Sequence, residues 1–267
     1  MKKILLCLFG IALLISGCNI QKKDDYILTS IYPIYEITKN ITKDDVRVEL
    51  LLKNNEHLHD YEASTSDIIN INESKKFIYI SKDLETFVPS GDNQLEIISD
   101  ERFKDVEDLH LWTSPKQALL MLETIKNNLA KDNLIDEEKY QAYYKKLEEI
   151  NQDYESFGQE NTKTLIVNHD AFSNLKKDYN INSVSIYGKD GHDEPSIKEI
   201  NEIISLIKDT NIKTIYDENN SEENDILKNI QTETNTSIEI LDNMIANFDN
   251  NSYLDLLKLN LEKMKKV

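Results

Sequence analysis

Residues 114–157 read SPKQALLMLETIKNNLAKDNLIDEEKYQAYYKKLEEINQDYESF, and this stretch decides the fold. Ser114-Pro115 marks the helix start. Ala118, Leu119, Leu122, Ile125 and Leu129 keep one apolar face, and Tyr140, Tyr143, Tyr144, Leu147 and Ile150 keep a second, both at helical spacing. The pattern is helical throughout, so a long helix is expected that divides the chain in two.

Working outward, short β-branched or aromatic runs flank this stretch on both sides. Before it, strands are expected at Tyr26 to Ile31, Val46 to Leu52, Phe77 to Ile80 and Leu95 to Ile98. After it, they are expected at Thr164 to Asn168, Ser183 to Ile186, Thr214 to Asp217 and Ile238 to Leu241. Helical patterns alternate with them, which is the signature of a mainly parallel sheet covered on both faces. Ser64-Thr65-Ser66-Asp67 reads as an N-cap with an acidic partner three residues on. Glu194-Pro195-Ser196 opens another helix, with Pro suited to the first turn and Ile197, Ile200, Ile203, Ile204 and Ile207 following at helical spacing. A last helix spans Tyr253 to Met264. The fold class is therefore α/β: an N-terminal lobe at 26–137, a linker helix at 138–160 and a C-terminal lobe at 161–267. Ligands in such folds bind in the crevice at the carboxyl ends of the strands.

The composition narrows the function. With 267 residues and 39% hydrophobic content, the chain buries a real core. Thirty-one Lys and Arg against 49 Asp and Glu give a formal charge of −18, which argues against nucleic acid as a partner and favours cations. Residues 1–17 hold a basic start, Lys2 and Lys3, an apolar run from Ile4 to Ile15, and the small pair Ser16-Gly17. That is a signal peptide, too short for a comfortable membrane span. Leu14-Ile15-Ser16-Gly17-Cys18 resembles the lipobox of bacterial lipoprotein precursors, so Cys18 is expected to become the lipidated N-terminus, followed by a polar tether to residue 25. Processing would remove Cys7 and leave no disulfide; the alternative is a non-lipidated secretory signal with Cys18 incidental.

Only five histidines are present: His57, His59, His110, His169 and His192. His59 follows the second expected strand by a short loop, His169 directly ends the fifth, and His110 lies in the loop before Ser114. Asp242 directly ends the last strand. Three imidazoles and one carboxylate from four such loops suit a tetrahedral Zn²⁺ site, although their wide separation is unlike that of zinc fingers.

Local context adds to this. His59-Asp60-Tyr61-Glu62-Ala63-Ser64 resembles an H-D-Y-E-P-S element, Asp108-Leu109-His110-Leu111-Trp112-Thr113-Ser114-Pro115 is similar to D-P-H-x-W-x-S-P, and His169-Asp170-Ala171-Phe172 matches H-D-A-F. Glu194-Pro195-Ser196, Ile240-Leu241-Asp242 and Tyr253-Leu254 with Asn260-Leu261 follow in order. These motifs resemble the extracellular solute-binding lipoproteins of zinc and manganese ABC importers, over about residues 26 to 264. The resemblance implies two α/β lobes joined by a long, rigid linker helix, with metal held in the interlobe cleft by His59, His110, His169 and Asp242. It also implies a permease and an ATPase as partners, a monomer anchored by Cys18 to the outer face of a bacterial, Gram-positive membrane, and no catalysis. Zinc is expected, with Mn²⁺ or Fe²⁺ as the alternative; a zinc member can also use water in place of Asp242. Ala63 and Leu109 stand where the family has Pro, and no His-rich loop lies between His59 and His110.

Other residues carry weaker readings. His57 and His192 are accessory metal contacts or solvated loop histidines. Glu218 is an acceptor for the ring N–H of a ligand histidine or plain loop surface. Trp112 and Tyr61 either cover the site or pack in the core. Glu222-Glu223-Asn224-Asp225 reads as a solvated helix start. A surface adhesin is a second reading. A secreted zinc hydrolase is a third, although in His57-Leu58-His59-Asp60 the Asp falls one position early for H-x-H-x-D and no H-E-x-x-H is present.

Overall fold

The computed structural model describes residues 25–53, 58–160, 164–188, 194–218, 225–245 and 250–266. Strand β1 (Tyr26–Thr29) is buried along its whole length, as the inner strand of a parallel sheet must be. Helix α1 (Tyr32–Ile41), β2 (Arg47–Leu50), α2 (Thr65–Glu73), β3 (Lys76–Tyr79) and β4 (Gln94–Glu96) follow. The strands pair in parallel in the order β2-β1-β3-β4. After α3 (Pro115–Ala130) and α4 (Glu137–Glu160), the plan repeats with β5 (Leu165–Val167), α5 (Asn174–Tyr179), β6 (Ser183–Ser185), α6 (Ile197–Thr210), β7 (Thr214–Glu218), α7 (Asp225–Thr234) and β8 (Ser237–Leu241). This second sheet is also parallel, in the order β6-β5-β7-β8, and α8 (Tyr253–Met264) closes the chain. The result is two α/β lobes, as the alternating pattern predicts.

Local chemistry sets the boundaries. Ser64 accepts from Asp67 N while the Asp67 carboxylate accepts from Ser64 N at 2.8 Å, a reciprocal capping box that starts α2. Ser196 and Glu199 do the same for α6. Ser196 is therefore the cap, and Pro195 precedes it rather than entering the first turn. Ile197 correspondingly leaves the expected apolar face: it is 80% exposed, while Ile203 and Ile207 are buried.

The helical stretch from Ser114 is broken once. Asn133 takes a left-handed conformation (φ 55), which Asn tolerates better than most residues, and ends α3. Ile135 then bridges to Thr42, and Asp136 N donates to Ile41 O at 3.0 Å, so the break is pinned to the end of α1. Helical periodicity does not register such a turn, because both flanking runs keep their apolar faces.

Helix α4 joins the halves by packing on α1 and α3 of the first and on α5 and α8 of the second. Tyr154 donates to Leu257 O at 2.8 Å, and Tyr179 donates to Asn151 at 2.7 Å. Gly158 lets α5 approach: a Cβ there would lie 2.0 Å from the Tyr179 carbonyl oxygen. One apolar core runs through Ile27, Phe77, Trp112, Leu147, Phe172 and Leu241, and a smaller one built on Ile166, Ile207 and Ile215 lies in the second lobe. Helix α4 is thus embedded in a shared core. Among the described residues no helix is long and apolar enough to cross a membrane. The signal peptide, Cys18 and the tether up to residue 24 lie outside the described residues.

In the first lobe the backbone N–H groups of Ile80 and Ser81, just past β3, donate to Glu85 Oε2 at 2.6 and 3.1 Å. Burial pushes the Glu85 carboxyl from 4.5 up to about 7, against the pull of those N–H groups. A raised carboxyl favours folding fully below its unfolded value and loses that contribution as pH rises through about 7. The urea midpoint of the metal-free protein should therefore fall between pH 5 and 8 by more than that of Glu85→Gln. Parallel curves for the two proteins would contradict this assignment.

Candidate metal site

His110 stands just before the 3-10 turn Leu111–Thr113 and is only 3% exposed. Asp108 Oδ1 accepts from the His110 backbone N at 3.0 Å and lies 2.6 Å from the ring Nδ1. The other oxygen, Oδ2, accepts from Ser173 Oγ of the second lobe at 2.7 Å. Burial raises the Asp108 carboxyl, but the bonds from His110 and Ser173 outweigh it and hold the group down at about 2. Asn174, also of the second lobe, donates Nδ2–H to the carbonyls of Asp108 and His110 at 3.0 and 3.3 Å. The loop that carries His110 is thus gripped from across the cleft.

His169 lies two residues past the end of β5, and Glu218 is the last residue of β7. Since β5 runs on to β6 on one side and has β7 on the other, these residues flank the point where strand order reverses, the crevice in which α/β sheets bind ligands. There His169 Nδ1 meets Glu218 Oε1, and Glu218 Oε2 accepts from Asn243 Nδ2 at 3.0 Å. The His110 and His169 rings stand 5.4 Å apart at 64°, one from each lobe. A carboxylate at Nδ1 assigns the ring proton to that nitrogen, so that ligation of a metal falls to Nε2.

Asp242 lies one residue past β8, beside the β7 terminus through the Glu218–Leu241 register pair. Its main chain is clamped by Asn260, with Asp242 N donating at 2.9 Å and Asn260 Nδ2 donating back to Asp242 O at 2.8 Å. Asp242 Oδ1 accepts from Met244 N at 2.7 Å, and Met244 adopts the left-handed region (φ 62) while fully buried. Trp112 donates Nε1–H to Asn243 O at 2.7 Å and stands edge-on to His110 at 5.3 Å. Trp112 is fully buried in the core beside His110, and Tyr61, half-buried, packs on that core against Phe87.

The His59 backbone forms part of the 3-10 turn Leu58–Asp60, but its side chain lies outside the described residues. His57 and His192 lie outside them too, as do residues 222–224, while Asp225 begins α7. Among the described residues, no three His, Cys, Asp or Glu side chains gather to hold a metal by themselves. Sequence reasoning gave no role to Asp108, Ser173 or Asn243. For Asp108 the spacing to His110 was a usable signal; Asn243 carries none, because its partners come from distant strands.

The zinc-uptake complex component A periplasmic family matches residues 27–267. The chain belongs to this family. It is 29% identical to the zinc-binding lipoprotein AdcA of Streptococcus pneumoniae over its full length, but spans only 61% of that protein. It is 27% identical to the high-affinity zinc uptake system protein ZnuA of Bacillus subtilis, covering 90% of this chain and 86% of that one. The structure of the laminin-binding protein of Streptococcus agalactiae, described as bifunctional with adhesin and metal transporting activity, superposes with a TM-score of 0.79 at 28% identity, over 90% of this chain and 97% of that one.

For this family member, the grip on Asp108 has a measurable consequence. Asp108→Ala strips the acceptor from His110 N and from Ser173 Oγ, so unfolding by urea should show a loss of about 2–3 kcal/mol. A loss within the roughly 0.5 kcal/mol scatter of ordinary surface changes would contradict it.

Proposed function

We propose that the chain captures a divalent transition metal, zinc, outside the cell and hands it to the permease and ATPase of an ABC importer. The observation that carries this reading is the pair of buried imidazoles, one from each lobe, each backed at Nδ1 by a buried carboxylate. Such backing fixes the tautomer and raises the basicity of the ligating nitrogen. In this proposal Nε2 of His110 and of His169 are two ligands, and His59 and Asp242 complete a tetrahedral set. Nitrogen-rich ligation favours Zn²⁺ over Mn²⁺ and Fe²⁺ in the affinity order. The family match, and the zinc named in both curated relatives, support the same choice.

The chain's task is binding and release rather than bond making. Release requires a state that binds metal less well. The cross-lobe bonds from Ser173 and Asn174 to the His110 loop, and from Trp112 to Asn243, resist separation of the ligands, so a docked permease would have to break them. Anchorage through Cys18 at the outer membrane face, as a monomer, is part of the proposal. The adhesin activity described for the Streptococcus agalactiae protein supports adhesion as a second reading. Loss of adhesion with normal cellular zinc on gene deletion would favour it, whereas a growth defect rescued by zinc favours import.

The direct test is a melting titration of the metal-stripped soluble chain with Zn²⁺, Mn²⁺ and Fe²⁺. Zinc at about 1,000 times its dissociation constant should add roughly 4 kcal/mol. His110→Ala and His169→Ala should lose most of that gain. A larger manganese shift would change the metal, and no shift with any of the three would sink the reading.

A further inference from the structure

Asn243 occupies an unusual place. It is 7% exposed, lies next to Asp242, and engages both side-chain polar atoms and its main-chain carbonyl. Its Nδ2–H goes to Glu218 Oε2 at 3.0 Å, its Oδ1 accepts from Ile245 N at 3.3 Å, and its carbonyl accepts from Trp112 Nε1 at 2.7 Å. Glu218 in turn holds His169 Nδ1, and the Trp112 ring stands edge-on to His110. The segment is tied at both ends. Asn260 clamps Asp242, and Tyr32 N donates to Ile245 O at 3.1 Å, while Met244 between them sits in the left-handed region. A non-glycine residue persists there only when its surroundings over-determine the backbone.

We propose that Asn243 is a positioning residue of the metal site: its side chain sets the orientation of His169 through Glu218, while its main-chain carbonyl holds Trp112 beside His110. A carboxylate held at one oxygen only can rotate about its Cγ–Cδ bond, and the ring it backs then loses a fixed tautomer. With Nδ2–H on Oε2, Glu218 keeps Oε1 on His169 Nδ1. Because Asn is neutral, this donor adds no charge to the cluster and leaves the Glu218 carboxylate to serve His169. The carbonyl bond to Trp112 fixes the neighbouring ring by the main chain, so a side-chain substitution separates the two roles.

The proposal deepens the zinc-site reading and rests on it for affinity, but it has a readout that needs no metal. Histidine labelled with ¹⁵N reports the tautomer of each ring in the metal-free protein through long-range ¹H–¹⁵N spectra. Wild type should show His169 as the Nδ1–H form. Asn243→Ala, and Asn243→Leu, which keeps the branched shape and the carbonyl, should both convert it to a tautomer mixture while leaving His110 unchanged. In a chelator competition, zinc affinity should fall by about tenfold to a hundredfold. In a Glu218→Gln background the same substitutions should change zinc affinity less than twofold, an outcome a general loss of stability would not produce.

A His169 ring that stays Nδ1–H in both variants, or an affinity loss as large in the Glu218→Gln background, would overturn the proposal whatever happens to the melting temperature. If the wild type binds no zinc but the His169 tautomer shifts as expected, the positioning role stands and the zinc reading falls.

Discussion

Two imidazoles and two carboxylates are buried where the lobes meet, and burial makes their pairing obligatory. A carboxylate removed from water is costly unless its lone pairs are met by donors, and removing one partner strands the other. Asp108 therefore takes the His110 ring and backbone on one oxygen and Ser173 on the other, and Glu218 takes His169 and Asn243. Since Ser173 and Asn243 follow strands of the second sheet while Asp108 and Trp112 precede α3, satisfying these groups also brings the lobes into register. The site and the interlobe contact are one hydrogen-bond network.

Topology explains why the network lies where it does. Both sheets reverse their strand order between the first and third strands, which opens a crevice at the carboxyl ends. In the second lobe that crevice holds His169 and Glu218, whose polar atoms serve the cleft. In the first lobe the residues just past β3 turn their N–H groups onto Glu85, so the chain fills that position with its own buried carboxyl. The same architecture thus supplies a paired histidine and carboxylate in one lobe and a structural plug in the other. Helix α4, packed against the common core and admitted close to α5 at Gly158, joins the two lobes.

Much of this was legible in the chain because it is local. Each expected strand is present, usually shorter at its ends; the Ser64 cap and the Tyr253–Met264 helix stand where pattern and capping put them. The break at Asn133 was not, since it depends on Thr42 and Ile41 pairing from another part of the chain. The offset of Pro195 reflects competition between two good helix starters, settled by the reciprocal bond between Ser196 and Glu199. For the site, strand-end position picked out His169, Glu218 and Asp242 as candidates. That His169 selects Glu218 as its partner, and that Asn243 holds the far side of that carboxylate, follows only from which strands lie side by side.

The central claim is that histidines from both lobes share one metal ion. Zinc K-edge X-ray absorption on the zinc-loaded protein tests it most directly. A first shell of nitrogen and oxygen at about 2.0–2.1 Å, with outer scattering from three imidazoles, is what the account predicts. A zinc ion with a single imidazole or none would contradict it, because no arrangement in which His110 and His169 face each other across the lobes would then be holding the metal.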